Sequence, residues 1–278
     1  MTSGLNPGFH PSLTPRRVGD ITLYVDEALE RDCGIVVAFS ERGGGVSEPP
    51  FESLNLGLHV GDDPRSVEAN RRRVLAAAGL GEAEIGRLVS AHQVHGTDVL
   101  FVDELGDIPV SPAEATDALA TLVRDVPLML CFADCVPVVL VVPGSPGAVA
   151  VVHSGWRGTL ADITGKTLSE MVDRYGVNPA DVLAYIGPYI GPNNFEVGPD
   201  VWGLFEANFG KLTPMFTADG AVRFDLADAV RESLSTLGVL GCHIASMGVC
   251  TVESVDRFFS YRAEGGTTGR LGALACIR

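Results

Sequence analysis

Residues 126–132, 136–142 and 148–153 form three apolar runs, dominated by Val, Leu and Ala and separated only by short breaks. Their apolar character does not alternate. A half-exposed strand would carry a polar residue at every second position, so these strands must be covered on both faces. That places the chain in the α/β class, α+β layered, with helices packed around a central mixed sheet. Residues 21–25, 34–39, 88–92, 97–102 and 182–186 read as further strands. Asp63-Pro64 opens a helix through Ala78, with Val67, Val74 and Leu75 on one face. Residues 159–175 show helical spacing of Leu160, Ile163, Leu168 and Met171, and Gly176 stands where a C′ glycine would. Residues 199–209 and 226–237 read as a later helix pair, and the glycine-rich stretch 250–278 as ending in a strand. Between Arg42 and Asp63 the chain is too polar and glycine-punctuated for a regular element and reads as a loop over a site. With no repeat and no Pro/Ser linker, a single catalytic domain over residues 20–278 is expected, behind a flexible tail over residues 1–19.

A chain of 278 residues that is 46% hydrophobic can bury one full core. Its net charge of −15 repels phosphate backbones, so no nucleic-acid partner is expected. The first twenty residues hold no apolar signal core and no later run reaches spanning length, so neither a membrane partner nor export is expected. A soluble cytoplasmic protein follows, with its oligomeric state left open. The six cysteines are scattered, which argues for free thiols over a disulfide framework. Cys135 is then available for chemistry.

Cys135 and His153 both stand at ends of apolar runs and are followed by Pro137 and by Ser154-Gly155, and strand ends are where α/β proteins place sites. With His95 they form a Cys/His/His set that suits a catalytic zinc with an open fourth position. Taken singly, each is more commonly a buried structural residue. No local zinc-finger spacing links them, since they lie 40 and 18 residues apart. Asp134, next to Cys135, points away from it if extended and reads as an orienter or an acid/base. His92 ranks second to His95. Arg42, Arg157, Arg262 and Arg270 sit beside glycines in loops, where a guanidinium can fork onto phosphate or carboxylate oxygens, although each alone is more often a surface ion-pair arginine.

At these residues the chain resembles a known family. Arg42–Ser47, Ser53-Leu54-Asn55-Leu56-Gly57, Gln93-Val94-His95-Gly96, Asp134-Cys135-x-Pro137, His153-x-Gly155-Trp156-Arg157-Gly158, Ile186-Gly187-Pro188-x-Ile190 and Phe259-Ser260-Tyr261-Arg262 match its motifs in order, from about residue 35 to the C-terminus. The family was formerly classed as multicopper polyphenol oxidases, or laccases, and later assigned as zinc-dependent purine nucleoside phosphorylases with adenosine deaminase activity. The resemblance implies a fold like the cysteine hydrolases of the cytotoxic-necrotising-factor type and zinc held by His95, Cys135 and His153. It also implies adenosine, inosine, guanosine and methylthioadenosine as substrates, with phosphate. Two departures stand out: a connection between Cys135 and His153 one residue longer than usual through residues 144–147, and Ala263 where a second arginine often follows Arg262.

A four-copper oxidase needs about ten imidazoles and a thiolate, and this chain has six histidines in all. A lone His₂Cys copper centre remains a minor alternative to zinc. In the zinc enzyme Cys135, Asp134 and Arg42 are expected as catalytic groups, Asp134 as the proton shuttle of deamination. Asn55, His92, Arg157 and Arg262 are expected as substrate contacts, and His95, Cys135 and His153 as metal ligands. Two other classes fit the same residues. One is a metal-free hydrolase or deamidase with Cys135 as nucleophile and His153 as base; the other is a non-catalytic pocket that binds a nucleotide or a partner.

Overall fold

A computed structural model describes residues 9–144 and 147–278. Its strands, in chain order, are Thr14–Val18 (β1), Ile21–Val25 (β2), Ile35–Ser40 (β3), Val89–Ser90 (β4), Val99–Val102 (β5), Ala118–Thr121 (β6), Leu128–Phe132 (β7), Val136–Val142 (β8), Ala148–Ser154 (β9), Leu183–Ile186 (β10), Glu196–Val197 (β11), Met215–Phe216 (β12), Val222–Arg223 (β13), Ile244–Ser246 (β14) and Leu271–Ile277 (β15). The helices are Glu27–Cys33 (α1), Pro64–Ala77 (α2), Glu82–Ile85 (α3), Trp156–Leu160 (α4), Ile163–Tyr175 (α5), Pro199–Asn208 (α6) and Leu226–Thr236 (α7). The strands pair into two six-stranded mixed sheets, β1-β2-β3-β15-β7-β4 and β14-β10-β8-β9-β6-β5, beside a ribbon β11-β13-β12.

The continuous apolar strands are explained by what each face meets. Along β8, Val139 and Val141 join Phe39, Leu130 and Phe132 of the first sheet in one core. The alternate residues Val138 and Leu140 pack instead on Ile163, Leu168 and Met171 of α5. On the far face of the first sheet, Val36, Ala38 and Leu274 cover Val74 and Leu75 of α2. The result is four layers: helix, sheet, sheet, helix. Each Val or Leu buried this way contributes about 1.5–3 kcal/mol of transfer free energy, which is why β8 carries no polar residue on either face.

The mixed α/β class holds, but the one central sheet expected from the sequence is two. Unbroken apolar runs specify that both faces are covered and not whether a helix or a second sheet covers them. The tail is also corrected: Thr14–Val18 pairs antiparallel with β2, so within residues 9–19 the chain is partly ordered as a sheet edge. Residues 1–8 of that expected tail, and Ser145-Pro146 of the lengthened connection, lie outside the described residues.

Helix boundaries follow their caps. Asp63 accepts from Arg65 N ahead of Pro64, and Gly176 closes α5 in the left-handed conformation with its N–H on Val172 O. The helix expected over residues 159–175 is split, because Asp162 (φ 57) interrupts it and caps α5 by accepting from Gly165 N at 3.1 Å and Ser233 Oγ at 2.5 Å. Helix α1 was not expected. It buries only Leu29, so no apolar period announces it, although Asp26 and Gly34 cap it at its two ends. All six cysteines are free, and no helix among the described residues is long and apolar enough to cross a membrane.

Candidate active site

Two chain crossings between the sheets meet at one end of the molecule. Residues 91–98 carry the chain from β4 to β5, and residues 133–135 carry it from β7 to β8. There β6 and β8 begin and β9 ends, with His153 of β9 in register with Pro137 of β8. His95 comes from the first crossing, Cys135 from the second, and His153 from the strand itself. One ligand atom from each lies within 4.8 Å of the others, with Cys135 Sγ 3.7 Å from His95 Nε2. A tetrahedral ion with metal–sulfur near 2.3 Å and metal–nitrogen near 2.0 Å spreads sulfur and nitrogen about 3.5 Å apart, so the Cys135–His95 separation fits a shared metal.

A buried carboxylate holds the two histidines in place. Asp117, just before β6, is fully buried. Its Oδ1 accepts from His95 N at 2.9 Å and pairs with His153 Nδ1 at 2.8 Å, while Oδ2 accepts from Val94 N at 3.1 Å and Gly96 N at 2.8 Å. Fixing Nδ1 leaves Nε2 of His153 as its ligand atom. His95 sits in the left-handed region (φ 61), and this set of hydrogen bonds sustains that strained backbone. Gln93 ties the same crossing to the first sheet: its Nε2 donates to Cys131 O at 2.7 Å and its Oε1 accepts from Cys131 N at 2.9 Å. Gly155 is dictated by the cluster, because a Cβ there would stand 2.5 Å from His95 Cδ2 and 3.1 Å from Cys135 Sγ.

Charge follows from this packing. Burial alone would push the Cys135 thiol up, but His153 and His95 outweigh it and bring the thiol down to about 6. Burial alone would lower His153, but the Cys135 thiolate and Asp117 push it up to about 9. Burial likewise opposes ionisation of Asp117, and His153 with the backbone N–H groups of Gly96 and Val94 holds its carboxyl below the usual range. In the metal-free site both shifts run toward a thiolate–imidazolium pair. A metal must displace the ligand proton of His153, so binding releases protons.

The trio forms part of the wall of a cavity of about 430 Å³. Trp156, Phe195, Ile190 and Leu226 give it apolar surface, and Arg157, Tyr261, Arg262 and Arg270 give it polar edges. Such a volume lies in the range of small-molecule sites, about 300–1,000 Å³.

The other expected site residues divide. Arg157 and Arg262 line the cavity, Arg157 over the Trp156 ring at 4.2 Å. Asp134 lines it too, but its oxygens are taken: Oδ1 accepts from Thr251 Oγ1 at 2.6 Å and Ser260 Oγ at 2.7 Å, and Oδ2 from Arg262 N at 2.6 Å. The geometry of Asp134 (φ 85) is that of an orienter of the Tyr261-Arg262 segment, and a shuttling role is not supported. Arg42 does not line the cavity. Its guanidinium donates to Glu52 O and Val255 O, pairs with Glu264 at 3.0 Å and lies 4.4 Å over Phe259, which makes it a brace between distant loops. Asn55 is fully buried and bonds Gly57, Asp62 and the backbone N–H of Arg270, so it too acts through its neighbours. His92 faces outward and pairs with Glu114 at 3.3 Å. In its place His59 reaches the cavity, held neutral because desolvation, then the charges of Arg270, His92 and Arg71, lower it to about 4.

Asp117, His59, Phe195 and the support given by Gln93 went unrecognised as site features. Asp117 precedes a buried strand, where a lone acid is a strong signal, since an unpaired buried carboxylate is very costly.

A sequence model of the family described as multi-copper polyphenol oxidoreductase laccase matches residues 36–278. The chain is 38% identical over 246 residues to the purine nucleoside phosphorylase YlmD of Geobacillus stearothermophilus, an alignment covering 86% of this chain and 88% of that protein. It is 38% identical over 241 residues to the purine nucleoside phosphorylase YfiH of Escherichia coli K12, covering 86% of this chain and 93% of that protein. The crystal structure of YlmD from Geobacillus stearothermophilus superposes with a TM-score of 0.86 at 34% identity, covering 95% of this chain and 98% of that one.

Proposed function

The chain belongs to the multi-copper polyphenol oxidoreductase laccase family, and from that membership we propose that it is a zinc-dependent purine nucleoside phosphorylase, with adenosine deamination as a second activity of the same site. Adenosine, inosine, guanosine and methylthioadenosine are its proposed substrates. The observation that carries this is the His95, Cys135 and His153 trio set in the wall of a cavity with aromatic and cationic surfaces. The named relatives support the reaction class. Zinc suits the donors better than copper does. The six histidines of the chain fall short of a four-copper centre, and no methionine among the described residues lines the cavity to act as the axial ligand of a blue-copper site.

In phosphorolysis a phosphate oxygen forms its bond to C1′ as the C1′–N9 bond breaks, and the electron pair leaves with the purine, which takes up a proton. When bound by the trio, zinc would supply Lewis acidity at an oxygen of phosphate, or of water in deamination. Trp156, Phe195 and Ile190 supply faces for a flat purine, which stacks on such surfaces while its ring edges stay free for polar contacts. Arg157 and Arg262 add positive charge to the wall of the same cavity, which favours an anionic co-substrate there. Asp134 fixes the backbone of Arg262, and Asp117 fixes both histidines.

The thiolate–imidazolium pair of Cys135 and His153 favours one second reading, a metal-free cysteine hydrolase. Metal content and phosphate dependence separate the two. Purified protein with about one zinc per chain, releasing free base and ribose 1-phosphate from inosine only when phosphate is present, is the expected result. Base release that ignores phosphate, or that survives both His95→Ala and Cys135→Ala, would sink the phosphorylase.

A further inference from the structure

Three arginines, Arg157, Arg262 and Arg270, line the cavity, and their burial and partners set one apart. The charge of Arg42 is met by Glu264, and elsewhere Arg223, Arg257 and Arg278 are met by Glu196, Glu41 and Glu30. Arg262 donates to Asn194 O at 3.1 Å and is exposed, as is Arg157. Arg270 is half-buried in the cavity wall, and no Asp or Glu among the described residues lies within ion-pair distance of it. Its Nη1 donates to the carbonyls of Thr268 at 2.9 Å and Gly269 at 3.0 Å, while Nε and Nη2 have no protein partner among the described residues. A half-buried cation without a counter-charge is costly, and burial lowers its proton affinity.

The surroundings hold Arg270 there without neutralising it. Its N–H donates to Asn55 Oδ1 at 2.8 Å, and its carbonyl accepts from Leu56 N at 3.0 Å. Gly57 leaves room for its stem, since a Cβ there would stand 2.7 Å from Arg270 Cγ. Tyr261 lies 5.6 Å from the guanidinium, ring centroid to Cζ. Of the acidic groups nearby, Asp134 is spent on Thr251, Ser260 and Arg262 N, the Cys131 thiol donates to Leu56 O at 3.3 Å, and Cys135 acts on the guanidinium only through space while its own thiolate is paired with His153.

We infer that Arg270, which lines the cavity together with the His95, Cys135 and His153 trio, is the seat of the phosphate co-substrate: its Nε and Nη2, unpartnered among the described residues, take two oxygens of a tetrahedral oxyanion. This rests on the phosphorylase reading and names the residue within that site which selects phosphate. Two parallel N–H donors match two phosphate oxygens, whereas a lysine offers a point charge. The buried Asn55 thereby gains a role as the residue that positions Arg270, in place of the base or sugar contact expected of it.

The test uses the zinc-loaded protein, with Arg270→Lys and Arg270→Met compared with wild type by thermal unfolding to confirm the fold. Inorganic phosphate is titrated and followed by ³¹P line broadening, and the KM values for phosphate and inosine are measured separately. Loss of a bidentate charge-assisted contact is expected to weaken phosphate by about 10–100-fold in Arg270→Met. Arg270→Lys should fall between, and the inosine KM should move far less. Phosphorolysis with an unchanged phosphate KM in folded Arg270→Met would overturn the seat and leave the phosphorylase standing. Phosphate binding by wild type that Arg270→Met loses, without any phosphorolysis, would support the seat and sink the phosphorylase. Wild type that neither binds phosphate nor uses it would overturn both.

Discussion

Replacing Asp117 by Asn keeps size and shape and removes one acceptor, and the structure makes the cost calculable. The carboxylate serves four donors, two on each oxygen. If the new amide turns its nitrogen toward Val94 N and Gly96 N, two part-buried donors face a third donor. Leaving both unsatisfied costs about 2–6 kcal/mol, at about 1–3 kcal/mol for each. If the amide turns the other way, its nitrogen faces His153 Nδ1, which must give up its proton and accept. The proton then sits on Nε2, the ligand atom, and metal binding is opposed directly. Either orientation loosens His95 or misprotonates His153, so metal affinity should fall about 10–100-fold. Competition of zinc against a chromophoric chelator reads the affinity, and thermal unfolding of the metal-free form reads the stability. A Tm drop of at least about 4 °C is expected if the first orientation prevails. A variant that keeps both its zinc affinity within about threefold and its metal-free Tm within about 2 °C would refute Asp117 as the organiser of the site.

Gly155→Ala should fold yet bind less than one zinc per chain by elemental analysis, because the new Cβ meets His95 Cδ2 at 2.5 Å; full stoichiometry would show that His95 has room to move. In metal-free protein the rate of Cys135 alkylation by iodoacetamide should rise with pH through about 6 and level off by pH 7, since the lowered thiol pKa means that thiolate is already formed there; a profile still climbing at pH 8 would contradict the ion pair. His92→Ala should leave turnover within about twofold of wild type, as its exposed pair with Glu114 contributes little, whereas a large loss would return His92 to the site. Arg42→Met should cost about 1–3 kcal/mol in urea unfolding with substrate KM little changed, given its bonds to Glu52, Val255 and Glu264; an altered phosphate KM at unchanged stability would make it a ligand of substrate after all.

The sequence exposes residue types and local periods, and those carried the layered α/β class, the Asp63 cap that opens α2, the Gly176 cap that closes α5, and the candidate trio His95, Cys135 and His153. Cys135 and His153 stood at the ends of recognisable strands, so their convergence was open to inference. His92 and His95 lie three residues apart in one crossing, and only the strained backbone at His95 decides which turns inward. Arg42 matched a motif, yet its partner Glu264 is 222 residues away, and that pair turns an apparent catalytic cation into a brace.

Apolar run length and cap chemistry are local, so the sequence by itself determined that the central strands are covered on both faces and that Cys135, His95 and His153 could share a metal. Tertiary structure alone decided that a second sheet supplies one of those covers, that Asp117 holds His153 from 36 residues away, and that among the described residues no Asp or Glu lies within ion-pair distance of Arg270. Those outcomes depend on which charged and hydrogen-bonding groups the folded chain brings together, and such pairings carry no period along the sequence.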